Sequence, residues 1–298
     1  MVMGIFNVLI LVTFFCIGVY AWFHQRDEIF TLFTMTLGTL LVVNLFWPLA
    51  LFFTFFFFIP YLMKTTHTMM MICSLLPVIA LSHFIFKFFI TYTIPAPILI
   101  LIALGSLIVI SVWGILGIFE DHLLRFLWLS NLIQLSFVVT DLAVAKLAGK
   151  IEVLGTIQVF NYTIAGLLLF ITIGVLSKNA KTKSISKLEG LYYADPKIAI
   201  FAIIAGLSLA GLPGLNIFVS EWYLFIASYG FSPVFTLLGI FAALILFILY
   251  LKIVYMLLVG RAHERIKQPW IITIITGLLA AACIIFGVLP GLQIAILT

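Results

Sequence analysis

Long unbroken apolar runs dominate the chain, divided by short polar breaks. The runs are Gly4–Phe23, Ile29–Met63, Thr68–Tyr92, Ala96–Phe119, Leu123–Leu147, Ile151–Ser177, Ile198–Tyr229, Pro233–Gly260 and Trp270–Leu289. A helix crosses a bilayer with about 20 residues, so most runs predict one span each. Ile29–Met63 is too long for one, and Asn44 with Trp47-Pro48 divides it into two. Ile198–Tyr229 is interrupted at Leu212-Pro213-Gly214 and reads as two short spans or one kinked span. The count is then about eleven helices, or ten. The fold class is all-α, a polytopic transmembrane helix bundle in a single domain over 1–298. Backbone groups in lipid must pair within the segment, and the runs lack the short alternating segments of a barrel.

Composition agrees. Apolar residues make up 65% of the 298 and charged residues only 8%, against about 25% charged in soluble domains. Basic residues concentrate in the loops, so the net charge of +5 reflects helix-end anchoring and excludes a nucleic-acid partner. Cys16, Cys73 and Cys283 sit in separate apolar runs with no shared spacing. No Walker loop, dinucleotide fingerprint, HExxH or haem or Fe–S ligand set occurs, so the chain is expected to carry no cofactor, metal or redox centre. The first run lacks a basic leader and a cleavage site, and reads as a retained helix.

An ionisable group inside a span costs about 2.5–3.5 kcal/mol on insertion scales and is a functional candidate. Lys87, Asp141, Glu221 and Lys252 qualify, and His83 stands one turn before Lys87. Lys87 follows Pro77 by ten residues and Glu221 follows Pro213-Gly214 by seven or eight. Two interrupted helices each carrying a charge point to an ion path. Other readings stand beside this one. Lys87 and Lys252 could snorkel, Glu221 could brace a kink, and Asp141 could pair with Lys146 at a boundary. Gln134, Gln158 and Asn161 are helix–helix glue or part of a polar path.

The residues around Glu221 also carry a resemblance. Ser208-Leu209-Ala210-Gly211-Leu212-Pro213 followed by Phe218-Val219-Ser220-Glu221-Trp222 resembles the antiporter-like membrane subunits of respiratory complex I, Mrp-type cation/proton antiporters and membrane-bound hydrogenases. Pro77 to Lys87, Leu124 to Gln134, Ser186 to Leu191, Leu249 to Lys252 and Gly287 to Gly291 are similar to further family segments in the same order. The matching core spans 68–292, after divergent N-terminal helices in 1–63. The resemblance implies two discontinuous helices, broken at Pro77 and at Pro213-Gly214, within a truncated antiporter-like fold. It implies proton or sodium/proton translocation by Lys87 and Glu221, with His83 tuning Lys87 and Lys252 linking Glu221 to the aqueous face. Asp141, Asn161 and Gln134 would extend the polar path.

The resemblance further implies a non-catalytic subunit of a multisubunit oxidoreductase complex. Its partners would be other membrane subunits, further antiporter-like ones included, with the lipid bilayer around it and protons or sodium ions as cargo. The setting would be a prokaryotic cell membrane, or an organellar inner membrane. A non-conducting docking subunit and a stand-alone secondary transporter are the alternatives.

The chain departs from the family pattern in places. The helix that normally carries a key Glu has Thr54 or Phe55 at that position. The helix that often bears a His and a Lys reads Asn161-Tyr162-Thr163-Ile164-Ala165-Gly166. On topology, ten spans would gather Arg26, Lys64, Arg125, Lys178–Lys197 and Arg261–Lys267 on one side, as the positive-inside rule asks. Eleven, which the resemblance favours, would place Lys178–Lys197 outside and Arg261–Lys267 inside.

Overall fold

The computed structural model describes residues 2–24, 26–45, 67–149, 151–260 and 268–297. The Thr54/Phe55 position and the Arg261–Lys267 loop lie outside them. Twelve α-helices account for nearly all of the described chain. They are α1 (Val2–His24), α2 (Ile29–Leu45), α3 (His67–Thr91), α4 (Ala96–Phe119), α5 (Leu123–Leu147) and α6 (Ile151–Asn179). Then come α7 (Leu191–Ala194), α8 (Pro196–Leu209), α9 (Asn216–Tyr229), α10 (Pro233–Leu258), α11 (Trp270–Val288) and α12 (Pro290–Leu297). Helix ends fall within a few residues of the breaks read from hydropathy, because Pro, Gly and charge stop both the apolar run and the helix.

Helix α6 is the axle. Every residue from Thr156 to Ser177 is buried, and α1, α3, α5, α8, α9, α11 and α12 pack around it. Gly166 admits Leu75 of α3. Helices α2, α4, α10 and α11 form the periphery and expose large apolar side chains such as Phe30, Leu101, Phe241 and Leu278, as a lipid-facing surface does.

One end of the bundle is tied together by its loops. The Leu123 amide donates to the Lys183 carbonyl (2.7 Å) and the Ile185 amide to that of Asp121 (2.8 Å). The Ser184 hydroxyl and the Ser186 amide donate to the Asp121 carboxylate at 2.6 and 2.9 Å. The Ser184 bond, with the Ser186 contacts behind it, holds Asp121 below the usual carboxylate range. At α8, Pro196 is the first residue and the Asp195 carboxylate caps the Ile198 amide, a strong start signal. Burial pushes that carboxyl up.

The loops settle the topology. The Gly190 amide donates to the Met256 carbonyl (3.2 Å), so the end of α10 lies beside the start of α8. With 26 residues rising about 1.5 Å each, α10 begins at the opposite face. Helix α9 ends four residues before it, so α8 and α9 together cross once. This corrects the eleven-span reading. A Pro-Gly turn marks a break without saying whether the chain turns back. Here the Asn216 side chain, at the first residue of α9, bonds Ser208 of α8 and the Asn161 carbonyl inside the bundle. Arg26, Arg125, Lys178, Lys181, Lys183, Lys187 and Lys197 therefore lie toward one face.

The expected break at Pro77 is also corrected, because α3 runs unbroken through it. Proline deletes one intrahelical hydrogen bond, and packing of α3 against α1, α2, α5 and α6 holds the rest of the helix together. The break at Pro213-Gly214 is real.

Candidate functional site

The α8–α9 break follows from five residues. At the end of α8 the Gly211 amide donates to Ser208 O (2.9 Å) and the Leu212 amide to Leu207 O (3.1 Å), with Gly211 at φ +71°. This left-handed stop is what glycine permits. Pro213 and Gly214 (φ +92°) then occupy the middle of a tight turn closed by the Leu215 amide on Leu212 O (3.1 Å), as expected for Pro followed by Gly. Helix α9 begins at Asn216 without a side-chain cap. Gly287 of α11 meets the turn so closely that a Cβ there would stand 2.5 Å from the Gly214 carbonyl carbon.

Glu221 lies in the second turn of α9 and is only 5% exposed. Its carboxyl group folds back against Gly211, where a Cβ would come 3.0 Å from Glu221 Cδ. Asp141 of α5 is 4% exposed, and neither of its carboxyl oxygens has a hydrogen-bond partner among the described residues. Asp141 and Glu221 lie within electrostatic reach of each other, as do Tyr250 and Glu221.

A buried polar chain borders these groups. Ser130 shares a hydrogen bond with the Tyr250 hydroxyl (2.6 Å). Gln134 donates to that hydroxyl (3.4 Å) and accepts from Gln158 (2.8 Å). Tyr162 donates to Asn131. On the other side of α6, Asn161 donates to Gln293 of α12 (3.2 Å), which donates to the Phe286 carbonyl (2.6 Å). The spacing of Ser130, Gln134 and Asp141 keeps them on one stripe of α5.

His83 is wholly buried edge-on against Phe6 (4.8 Å), with both ring nitrogens unpaired among the described residues. Lys87 is half-buried, within electrostatic reach of His83. Helices α3 and α9 both pack on α5 and α6, so the Gln134, Gln158 and Tyr162 helices stand between Lys87 and Glu221.

The remaining lysines are turned to helix ends. Lys252 donates to the Ile118 and Glu120 carbonyls (2.9 and 2.7 Å), and its acidic neighbours are Asp121 and Glu120. That places it at the loop end of α4, away from the expected link to Glu221. Lys146 donates to the Phe89 and Tyr92 carbonyls, so the boundary pair with Asp141 does not form. Sequence reasoning missed Ser130, Asn131, Tyr250 and Gln293 as members of the polar interior. Ser130, Asn131 and Gln134 on one apolar helix were the available signal. Tyr250 gave none, since tyrosine is common near helix ends.

The comparisons with known proteins fit this architecture. The family model described as NADH:quinone oxidoreductase/Mrp antiporter, TM, matches residues 8–247. The chain belongs to this family. Over 152 residues it is 29% identical to NAD(P)H-quinone oxidoreductase subunit 2 of Nostoc punctiforme, spanning 51% of this chain and 28% of that protein. Among solved structures, a chain of respiratory complex I from Thermus thermophilus superposes with a TM-score of 0.63 at 18% identity, covering 98% of this chain and 67% of that one. A chain of the Mrp complex of a Dietzia species gives 0.66 at 14%, covering 99% and 65%. A chain of an archaeal membrane-bound sulfane sulfur reductase gives 0.60 at 16%, covering 89% and 65%. At these identities the likeness shows the fold. This antiporter-like chain is a multi-pass membrane protein, shorter than each of these relatives.

Proposed function

We propose that the chain is an ion-translocating subunit of a multisubunit energy-converting membrane complex. It moves protons, or exchanges them for sodium, while other subunits supply the driving redox reaction. The observation that carries this reading is Glu221, a buried carboxyl group packed against a glycine at a helix break. An ionisable group buried in a membrane bundle marks an ion path by default, and the break frees backbone groups that can stabilise a charge beside it. Lys87 with His83, on the far side of α5 and α6, is the second position of the ion path.

The test uses the complex purified through a tag on this chain and reconstituted into vesicles, with an internal pH dye. Glu221→Gln is expected to reduce proton transport on the order of a hundredfold, the lower end of what a proton-transferring group contributes, without loss of assembly. Lys87→Ala is expected to reduce it as well. A solitary protein after tag purification contradicts the complex-subunit reading.

A non-conducting docking role is the second reading. It is favoured by one observation: Lys252 and Lys146 are committed to neighbouring helix ends, which leaves few free charges for a path. Unchanged transport in both Glu221→Gln and Lys87→Ala would establish it.

A further inference from the structure

The last turns of α10 carry a groove that the ion path does not use. It encloses about 610 Å³. Ile118 of α4 and Ile248, Leu251, Tyr255 and Leu258 of α10 line it, with Lys252 in its wall. Gly114 and Gly117 of α4 press on Ile245 and Leu249 of α10, so the two helices touch there and the groove lies on their outer side. Between Ile248 and Leu258 it runs about 15 Å along α10. A hydrocarbon core is about 30 Å thick, so the groove has the depth of one leaflet. A spanning helix from another subunit would lie along the full length of α10, whereas a phospholipid acyl chain occupies one leaflet only.

The rim of the groove offers both signs of charge. The Lys252 ammonium group donates to the Ile118 and Glu120 carbonyls (2.9 and 2.7 Å), and of its three N–H donors one remains. Glu120 and Asp121 stand within electrostatic reach of it. Ser184 and Ser186 take both oxygens of the Asp121 carboxylate. One oxygen of Glu120 accepts the His122 amide (2.8 Å), which leaves the other for a further donor. Two carboxylates against one ammonium group disfavour an anionic headgroup and favour one that brings its own cation. We propose that the groove binds a phosphatidylethanolamine molecule. Its phosphate accepts the remaining N–H of Lys252, its primary ammonium group donates to Glu120, and an acyl chain lies along 248–258. Tyr255, 55% exposed and nearly one turn beyond Lys252, sets a phenol near the headgroup, as tyrosines at membrane interfaces do. A choline headgroup has no N–H to give Glu120. The site stands apart from Glu221 and Lys87, and it holds whether or not the chain moves ions.

For the test, the tag-purified protein, with the subunits that accompany it, is placed in nanodiscs holding phosphatidylethanolamine with a photoactivatable acyl chain. Illumination and peptide mapping are expected to place the lipid on 248–258 and on Ile118. Unlabelled phosphatidylethanolamine is expected to compete better than phosphatidylglycerol or phosphatidylcholine, by up to about fivefold, the upper range of an exposed ion pair. Glu120→Gln keeps the acceptor for the His122 amide and is expected to lose that preference. Leu251→Trp, which fills the groove, is expected to remove the adduct. Equal competition by the three lipids, a preference for phosphatidylglycerol, or a preference that survives Glu120→Gln overturns the assigned headgroup contacts. An adduct undiminished in Leu251→Trp marks bulk lipid and overturns the site. So does a wild-type protein without an adduct on 248–258, the result expected where a neighbouring subunit covers the groove.

Discussion

Glu221 and Gly211 occupy each other's space. The glycine is needed twice, for its positive φ and for its missing Cβ beside the carboxyl group. Gly211→Ala would cost about 1–2 kcal/mol in backbone strain and push the carboxyl group aside. The expected outcome is an assembled complex with strongly reduced proton transport, measured in vesicles beside the wild type. Wild-type transport would show that the carboxyl position is not restricted by the break. The sequence made Glu221 legible because an acid in a long apolar run stands out whatever surrounds it. It did not reveal the neighbour of Asp141. Lys146, five residues on, looks like a partner along the chain, but its ammonium group is bound to the end of α3, and α9, distant in sequence, carries the acid within electrostatic reach of Asp141.

At the scale of helices, one device recurs. Lys146 on α5 ends α3, Lys252 on α10 ends α4, and Lys178 on α6 ends α1 through the His24 carbonyl (2.7 Å). In each case an ammonium group from a neighbouring helix meets carbonyls that the ending helix leaves unpaired, where the helix dipole also favours a cation. Lys252→Met is expected to fray the end of α4. The predicted loss is about 0.3–1 kcal/mol, approaching about 2 where the site is partly buried. Faster amide hydrogen exchange across 118–122 would register it, and unchanged exchange would refute it. Helix positions were legible in the sequence to within a few residues, since hydropathy and helix ends share the same breakers. The fate of each proline was not. Pro77 stays inside a helix and Pro213 ends one. The residue after each proline makes the difference: Gly214 supplies the positive φ of a turn, whereas Val78 simply continues a helix through Ile79 and Ala80.

For the whole molecule, the single crossing of α8 and α9 gathers the basic loops on one face. The positive-inside rule then assigns the Lys178–Lys197 face to the cytoplasm and the Thr91–Pro95 and Gly230–Ser232 turns to the other side. Single cysteines placed at Thr182 and at Ser232, in a background with Cys16, Cys73 and Cys283 replaced, test this with a membrane-impermeant thiol reagent on intact cells. Labelling at position 232 and protection at position 182 are expected, and the reverse pattern would invert the orientation. Hydropathy alone allowed both topologies, because a break in mid-membrane and a reversal leave the same mark in a sequence.

The enclosure of α6 has a consequence for how the protein is made. Three of its neighbours, α1, α3 and α5, precede it along the chain, whereas α8, α9, α11 and α12 come after it. During synthesis α6 therefore enters the bilayer half-sheathed. The Asn161 carbonyl and its side-chain NH2 group then wait for Asn216 and Gln293, their partners in the finished bundle, to be translated. Those two bonds of Asn161 thus form only once α9 and α12, made after α6, have docked against it.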